Sequence, residues 1–455
     1  MESKLKELHE DLPRTRLYYK DYNLLFLSQV YIAEFCFGVY KHDSIINVVK
    51  RFSLDNLAKL FMGKLKRPFS STGSIESDFV FVSDVYNRAV IEALNIVYRA
   101  FEKEKSITIY TDPRLRQSGG QDVNLFDGLT LKVLLVVIRD SFKILVAAFH
   151  HREDLMGIHK KYGVSLILLL LNLFDSILMV NISEAIFAKM KTSKIILMSD
   201  VHKVSRIMVL LAKSKQIYSF VVQHGATIGE EGYLPVIADK ILVWGPASKA
   251  WFLSYGQPES KIEIVGCPRL DSERFEKNQY KPIKTLQKAL IVLSDILVEK
   301  KYLEVVRDAL ATHSDIEVTI KLHPGGAVDY TFIPETIFKN SGISFKVLRF
   351  ENIKDLLRNT DFVFVTNSTV GMEAIIYSKP LFQYKSNELL DYTMDYEAFN
   401  CSHIFSTSQE IKRLLDTPEL VFSKVVNYSD FVSHYFFELD GNSAERIKKY
   451  IEAYS

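Results

Sequence analysis

Cysteine is scarce in this chain: three in 455 residues, Cys36, Cys267 and Cys401, odd in number and far apart. That excludes a disulfide framework and points to a reducing compartment. Their spacing also fits no zinc pattern, so each reads as a small buried hydrophobe. Net charge is nearly absent, at +2, which removes the global field that would select nucleic acid or acidic lipid. No uninterrupted apolar run reaches the ~20 residues of a spanning helix. The most apolar stretch, Gly163 to Val180, is broken by Asn172 and Asp175 and reads as a buried core helix. The opening "MESKLKELHEDLPRTRLYYK" is charged and lacks the apolar segment of a secretory signal. A cytoplasmic protein is expected.

Several motifs are missing too. There is no G-x-G-x-x-G dinucleotide fingerprint and no G-x-x-x-x-G-K-[ST] P-loop. No Asp-x-Asp tripeptide occurs, so the metal–pyrophosphate grip of single-domain sugar transferases is absent. His150 and His151 are adjacent, and neighbouring side chains diverge on a helix, which argues against a metal pair. No cofactor and no metal are expected.

What is present is a globular composition, 48% hydrophobic and 25% charged, in a chain long enough for two domains. From Asp78 onward, short continuous apolar runs alternate with helical patterns. "DFVFVSD", "SITIYTD", "KIILMSD", "IYSFVVQHG", "DKILVWG" and "KIEIVGCP" form one series. "KALIVLS", "IEVTIKLHP", "ISFKVLRF", "DFVFVTNS" and "KPLFQY" form another. Apolar runs without alternation are strands buried on both faces, as in parallel sheets with helical crossovers. The expected domains are a helical segment at 1–75, an acceptor domain at 76–267, a linker at 268–285, a nucleotide-donor domain at 286–427 and a helical tail at 428–455 that packs back on the first domain. Two such domains in tandem predict a cleft between them. In the first segment, Lys59 to Phe69 clusters basic and apolar residues. It reads as a solvated helix end, with a peripheral membrane-surface contact as the alternative.

Ligands of open α/β sheets sit beyond the carboxyl ends of the strands, so the polar residues there are the site candidates. "IKLHPGG" ends a strand on His323, Pro324 and Gly325, where an imidazole and loop amides can hold a phosphate oxygen. "VTNSTVGMEA" ends another on Asn367, Ser368 and Thr369 and opens a helix that carries Glu373. Free amides and hydroxyls there suit an anion, and Glu373 suits a ribose hydroxyl. "VVQHGATIGEEGY" ends a strand on His224 and carries Glu230 and Glu231 in a glycine-spaced loop. A histidine whose ordinary pKa lies near working pH, or a desolvated glutamate, suits a general base. Asp84, Asp112, Asp200 and His202 also stand at strand ends and read as structural.

The order "QHGATIGEEGYLPVIADKILVWGP", "VGCPRLD", "KLHPGG", "FVFVTNSTVGMEAIIYSKPLF" resembles the GT-B glycosyltransferases of surface and capsule polysaccharide synthesis, including the CDP-glycerol glycerophosphotransferases. Bacterial sialyltransferases carry an acidic-acidic-Gly, a His-Pro and a Ser-Ser/Thr motif in the same order, here Glu230-Glu231-Gly232, His323-Pro324 and Ser368-Thr369. The resemblance covers about residues 195 to 385. It implies an α/β, GT-B-like fold of two Rossmann-like domains facing a cleft, with a helical N-terminal extension. It also implies that His323, Ser368 and Thr369 hold the phosphates of a nucleotide-sugar donor, and that His224 or the Glu230-Glu231 pair is the base. The expected activity is sugar transfer to a glycan or glycolipid acceptor, at the inner face of the membrane or in the cytoplasm, without nucleic acid. The E-x7-E pair of many retaining enzymes is absent, since Val365 stands eight residues before Glu373, which implies inversion. Transfer of a CDP-linked polyol phosphate is the alternative. A sugar-nucleotide epimerase or a non-catalytic nucleotide-sugar binder is a further one, although the "DSGG" and paired-glutamate signature of UDP-GlcNAc 2-epimerases is absent.

Overall fold

In the computed structural model, the apolar runs become parallel strands with both faces covered. The structure describes residues 7–8, 10–29, 32, 74–84, 88–112, 115, 121–227, 229–230, 232–273, 286–293, 296–323, 331–366, 368–385 and 396–454. The chain divides into two units. The first holds residues 1–243, 249–269 and 444–455, and the second holds 244–248 and 270–443.

The first unit is built on strands β1 (Phe79–Ser83), β2 (Ser106–Tyr110), β3 (Gln121–Asn124), β4 (Lys194–Leu197), β5 (Tyr218–Val222), β6 (Lys240–Val243) and β7 (Ile262–Ile264). They lie in the order β7-β6-β5-β4-β1-β2-β3, every pair parallel. Because successive side chains point to opposite faces, each strand feeds two cores. Val80, Val82, Ile195, Leu197, Val221 and Ile241 enter one. Phe79, Phe81, Ile196, Phe220, Val222 and Leu242 enter the other. The second core is closed by helix α1 (Arg88–Ala100), whose Val90, Leu94 and Val97 follow the helical period. It is also closed by Ile447 and Ile451 of the C-terminal helix Ser443–Ala453. Phe79–Phe101 and Phe81–Tyr98 meet edge-on at 4.8 and 5.1 Å, each worth about 0.5–1.5 kcal/mol beyond burial.

The first core is covered by three helices placed between β3 and β4, α2 (Leu131–His150), α3 (Arg152–Tyr162) and α4 (Leu166–Phe187), and by α5 (Lys203–Ser214). Gly163, in the left-handed region at φ 76, ends α3 by donating to the His159 carbonyl. Among the described residues α4 alone is long and apolar enough to cross a membrane, yet 56% of its apolar window is buried in this chain. Its two polar interruptions have a tertiary role. Lys203, only 3% exposed, donates to Asp175 at 2.6 Å and to Asn172 at 3.5 Å, so they pair α4 with α5.

Residues before 76 were expected to be mostly helical. Among those described, residues 7–8, 10–11, 29, 32 and Leu24–Leu27 are helical, Leu12–Arg14 is a 3-10 turn, Tyr18–Tyr19 pairs antiparallel with Tyr22–Asn23, and Ile75 starts a two-residue strand. The segment Lys59 to Phe69 lies outside the described residues.

The second unit carries β8 (Lys288–Val292), β9 (Glu317–Lys321), β10 (Phe345–Leu348), β11 (Phe362–Val365), β12 (Leu381–Tyr384) and β13 (Ser402–Phe405). They lie in the order β10-β9-β8-β11-β12-β13, again all parallel. Its helices include α6 (Ile296–Leu310), α7 (Ile353–Arg358), α8 (Val370–Ile376), α9 (Ser408–Leu415) and α10 (Tyr428–Phe436). α9 starts in a capping box, where Glu410 accepts from the Ser406 and Thr407 amides at 2.8 and 2.9 Å.

Candidate functional site

Both sheets run outward from a central pair of strands: β1 and β4 in the first unit, β8 and β11 in the second. At such a switch point the neighbouring loops diverge and leave room for a ligand beyond the carboxyl edge. The candidate residues are placed by these two edges, and each edge stands on its own.

In the first unit His224 follows β5. Its Nδ1 lies 2.7 Å from the carbonyl of Met198, which follows β4. A carbonyl only accepts, so Nδ1 carries the proton and Nε2 keeps its lone pair. The ring stacks on Tyr233 at 5.0 Å and 20°. Tyr233 in turn packs edge-on against Trp251 and Phe252. Burial brings the His224 pKa down to about 4, helped by His202 and Arg269 and opposed by the bond to Met198. The imidazole is therefore neutral around pH 7. Its loop is tied down as well, since Gln223 Nε2 donates to the Gly225 carbonyl at 2.8 Å. A Cβ at Gly225 would stand 3.0 Å from the Tyr233 hydroxyl.

The other polar residues of this edge divide into two kinds. Asp84, at the end of β1, accepts from the amide and hydroxyl of Ser205 at 2.9 and 2.7 Å, fixing the start of α5. Asp200 is 1% exposed and accepts from the amides of Ile237 and Ala238 at 2.6 and 2.7 Å. Both hold loops in place. His202 stands at the N-cap of α5 without making a cap bond. Burial lowers its pKa, with Asp84 acting against that. Glu230 is buried, and its carbonyl accepts the amides of Tyr233 and Leu234. Glu231 lies outside the described residues.

In the second unit, Lys321 at the end of β9 is buried and donates to the carbonyls of Leu322 and Arg349 at 2.9 and 2.7 Å. It closes β9 onto the end of β10 rather than facing outward. His323 is the exposed residue of this strand end. Partial burial of its ring, then the charge of Lys321, lowers its pKa. Pro324 and Gly325, like Asn367, lie outside the described residues. After β11, Ser368 Oγ accepts from the Val370 amide at 3.2 Å, while Thr369 is exposed and makes no cap bond. Ser368, not Thr369, therefore serves the turn into α8. β8 lies between β9 and β11, so their ends stand about 9–10 Å apart at ordinary strand spacing. Glu373, on α8, is half-buried and helps raise the pKa of Tyr377 and Tyr396, whose shifts come first from burial.

The turn into α8 depends on Gly371. A Cβ there would lie 2.6 Å from the hydroxyl of Tyr396, which is 1% exposed and donates to the Ser368 carbonyl at 3.3 Å. Tyr396 is also stacked on Phe431 at 5.4 Å, so it cannot easily move. Gly371→Ala is expected to destabilise the protein by about 1–3 kcal/mol through overpacking, despite the ~1 kcal/mol helix preference of alanine. A urea denaturation midpoint equal to that of the unmodified protein would overturn this.

The sequence reading missed Tyr233 and Arg269 as neighbours of His224. Both stand in the segments quoted for their pattern, but contact across a loop and between strand ends leaves no local signal.

No protein-family model matches the chain, and no curated protein does. Solved structures do. The chain is similar to S. aureus MnaA in its structure with UDP, at a TM-score of 0.50 and 13% identity, over 83% of this chain and 96% of that one. It is similar to a putative UDP-N-acetylglucosamine 2-epimerase from Listeria monocytogenes, at 0.50 and 15%, over 83% and 96%. A further UDP-N-acetylglucosamine 2-epimerase matches at 0.51 and 12%, over 84% and 97%. The expectation of a glycosyltransferase is corrected by these likenesses, which lead to nucleotide-sugar epimerases instead. At such identities the likeness establishes the fold: two Rossmann-like parallel-sheet units in a GT-B-like chain.

Proposed function

We propose that this chain is a sugar-nucleotide epimerase, which binds one nucleotide sugar and inverts a carbon of its ring without a second substrate. One observation carries the reading: His224, neutral and fixed by its bond to Met198, stands at the carboxyl edge of a Rossmann-ordered sheet. The epimerases named above share that fold with the chain and support the same substrate class.

Inversion at a C–H centre breaks that bond and remakes it on the opposite face. In this reading His224 Nε2 takes the proton from the ring carbon next to the anomeric centre while the anomeric C–O bond to the diphosphate breaks, so the electron pair forms a ring double bond. The diphosphate then re-adds to the anomeric carbon as a solvent proton reaches the opposite face of its neighbour. On the second unit, taken by itself, the His323 ring and the Ser368 and Thr369 hydroxyls suit phosphate oxygens. Glu373 accepts from a ribose hydroxyl.

The test is incubation in D2O with a panel of UDP-, CDP-, CMP- and GDP-linked sugars and no acceptor, followed by NMR. The expected result is a stereoisomer carrying deuterium at the inverted carbon. The absence of the "DSGG" signature makes a panel wider than UDP-GlcNAc necessary. Turnover that starts only when an acceptor is added, or none with any donor, would sink the proposal.

A further inference from the structure

We propose that the outer face of α2 docks this chain on an anionic lipid surface. The proposal does not depend on the catalytic reading.

α2 packs inward through a narrow edge. Ile144 and Ala148 are buried, and Val133 and Val137 lie against the same core. Opposite that edge, Leu131, Leu135, Ile138, Phe142, Leu145 and Phe149 are all exposed, Phe142 by 72% and Phe149 by 69%. These six follow two interleaved seven-residue repeats, so they line one face of a helix about 30 Å long. Single exposed apolar residues are ordinary on protein surfaces, but a continuous stripe of this length marks an interaction site.

The charges on this helix decide the occupant. Lys132, Arg139 and Lys143 are exposed. At about 100° per residue they fall together on one flank of the stripe. The only acid between Leu131 and His150 is Asp140. It is 4% exposed and is engaged by Tyr19 at 2.8 Å, by Arg139 at 2.7 Å and by Lys143 at 3.5 Å, so it offsets one of the three positive charges. The exposed side of α2 thus combines large apolar side chains with a net positive charge, the chemistry of a helix that lies in a lipid interface. Long basic side chains can reach the headgroups while the stripe enters the acyl boundary. A second copy of the chain fits less well, because its α2 would present the same cations and no exposed acid to receive them.

The test is co-sedimentation of the full chain with vesicles of phosphatidylcholine alone, or with about 30% phosphatidylglycerol, in about 0.1 M salt. Each cation near an anionic surface is worth about fivefold in partitioning. Binding to the anionic vesicles is therefore expected to exceed that to neutral ones by about tenfold or more. The double variant F142S/F149S should lose it by a similar factor, while its circular dichroism stays unchanged because both rings are exposed. The variant K132S/K143S should weaken binding to anionic vesicles only. No binding to anionic vesicles, or equal binding to both kinds, would overturn the proposal. So would a dimer, seen by light scattering, that F142S/F149S dissociates while neither protein binds vesicles.

Discussion

His224→Gln is expected to lower turnover of the nucleotide sugar by about 10²–10⁴-fold, the usual contribution of a positioned general base. Glutamine keeps a side chain of similar reach but has no basic nitrogen. The thermal midpoint should fall only modestly, because the glutamine amide can still donate to the Met198 carbonyl although the stacking on Tyr233 is lost. Deuterium incorporation should fall together with turnover. The pH profile gives an independent readout. A base must be neutral, and burial brings His224 down to about 4. kcat/KM should then hold down to mildly acidic pH and fall only as pH drops through that value. A bound diphosphate raises the pKa of a nearby imidazole, so the acid limb of kcat should lie at higher pH than that of kcat/KM. The same shift bears on stability. The folded pKa is depressed below the ordinary 6.5, so the contribution of the neutral ring is complete above 6.5 and is lost as pH falls toward 4. Turnover within twofold of the unmodified enzyme would remove His224 from the reaction.

Arg206→Met should have the largest effect on stability, about 3–5 kcal/mol. Arg206 lies on α5, is 0% exposed, and donates through Nε to the Asp200 carbonyl at 3.1 Å. Its Nη1 donates to the Phe26 carbonyl at 2.8 Å and to Gln29 at 3.0 Å, and the guanidinium lies 4.2 Å from the Phe26 ring centroid. Burial lowers its pKa to about 10, and Asp200 opposes that shift. Methionine fills much of the volume but leaves two carbonyls without their donor. It also removes the positive charge that faces the buried Asp200 carboxylate. The Asp200 carboxylate keeps its bonds to the Ile237 and Ala238 amides, so the cost falls on the carbonyls left without a donor and on the lost attraction of the guanidinium. Arg206→Lys should recover little, since one ammonium cannot span the Asp200, Phe26 and Gln29 oxygens as the planar fork does. Urea unfolding is the measurement, and a loss below about 1 kcal/mol would show that the buried guanidinium is dispensable.

The strand framework was legible because both faces of each central strand are buried. "DFVFVSD" and "DFVFVTNS" could not alternate if one face were wet, and they became β1 and β11. β3 and β13 were missed because "QDVN" and "SHIF" are short edge strands of mixed polarity. α2 and α3 were not read, although both pack on α4, the next helix in the chain. At the site, the sequence could name the residues at strand ends but not their partners. Lys321 and His323 are two positions apart, yet one closes the sheet edge and the other faces outward. Asp200 looked equivalent to Asp84, although only Asp200 is sealed beneath the loop at Ile237 and Ala238. Activity was the least legible property, because a Rossmann-like pair of sheets supports unrelated chemistries.

The C-terminal helix makes the order of synthesis matter. Residues 444–455 belong to the first unit, but they leave the ribosome after all of residues 270–443. Until they arrive, the side of the first sheet that carries Phe79, Phe81 and Phe220 lacks Ile447 and Ile451. Tyr454, which meets the rings of Tyr218 and Phe220 at 4.8 and 5.5 Å, is missing too. The first unit is thus synthesised almost whole before its second core is completed, and a late truncation would leave Phe79, Phe81 and Phe220 covered by α1 but without the C-terminal helix.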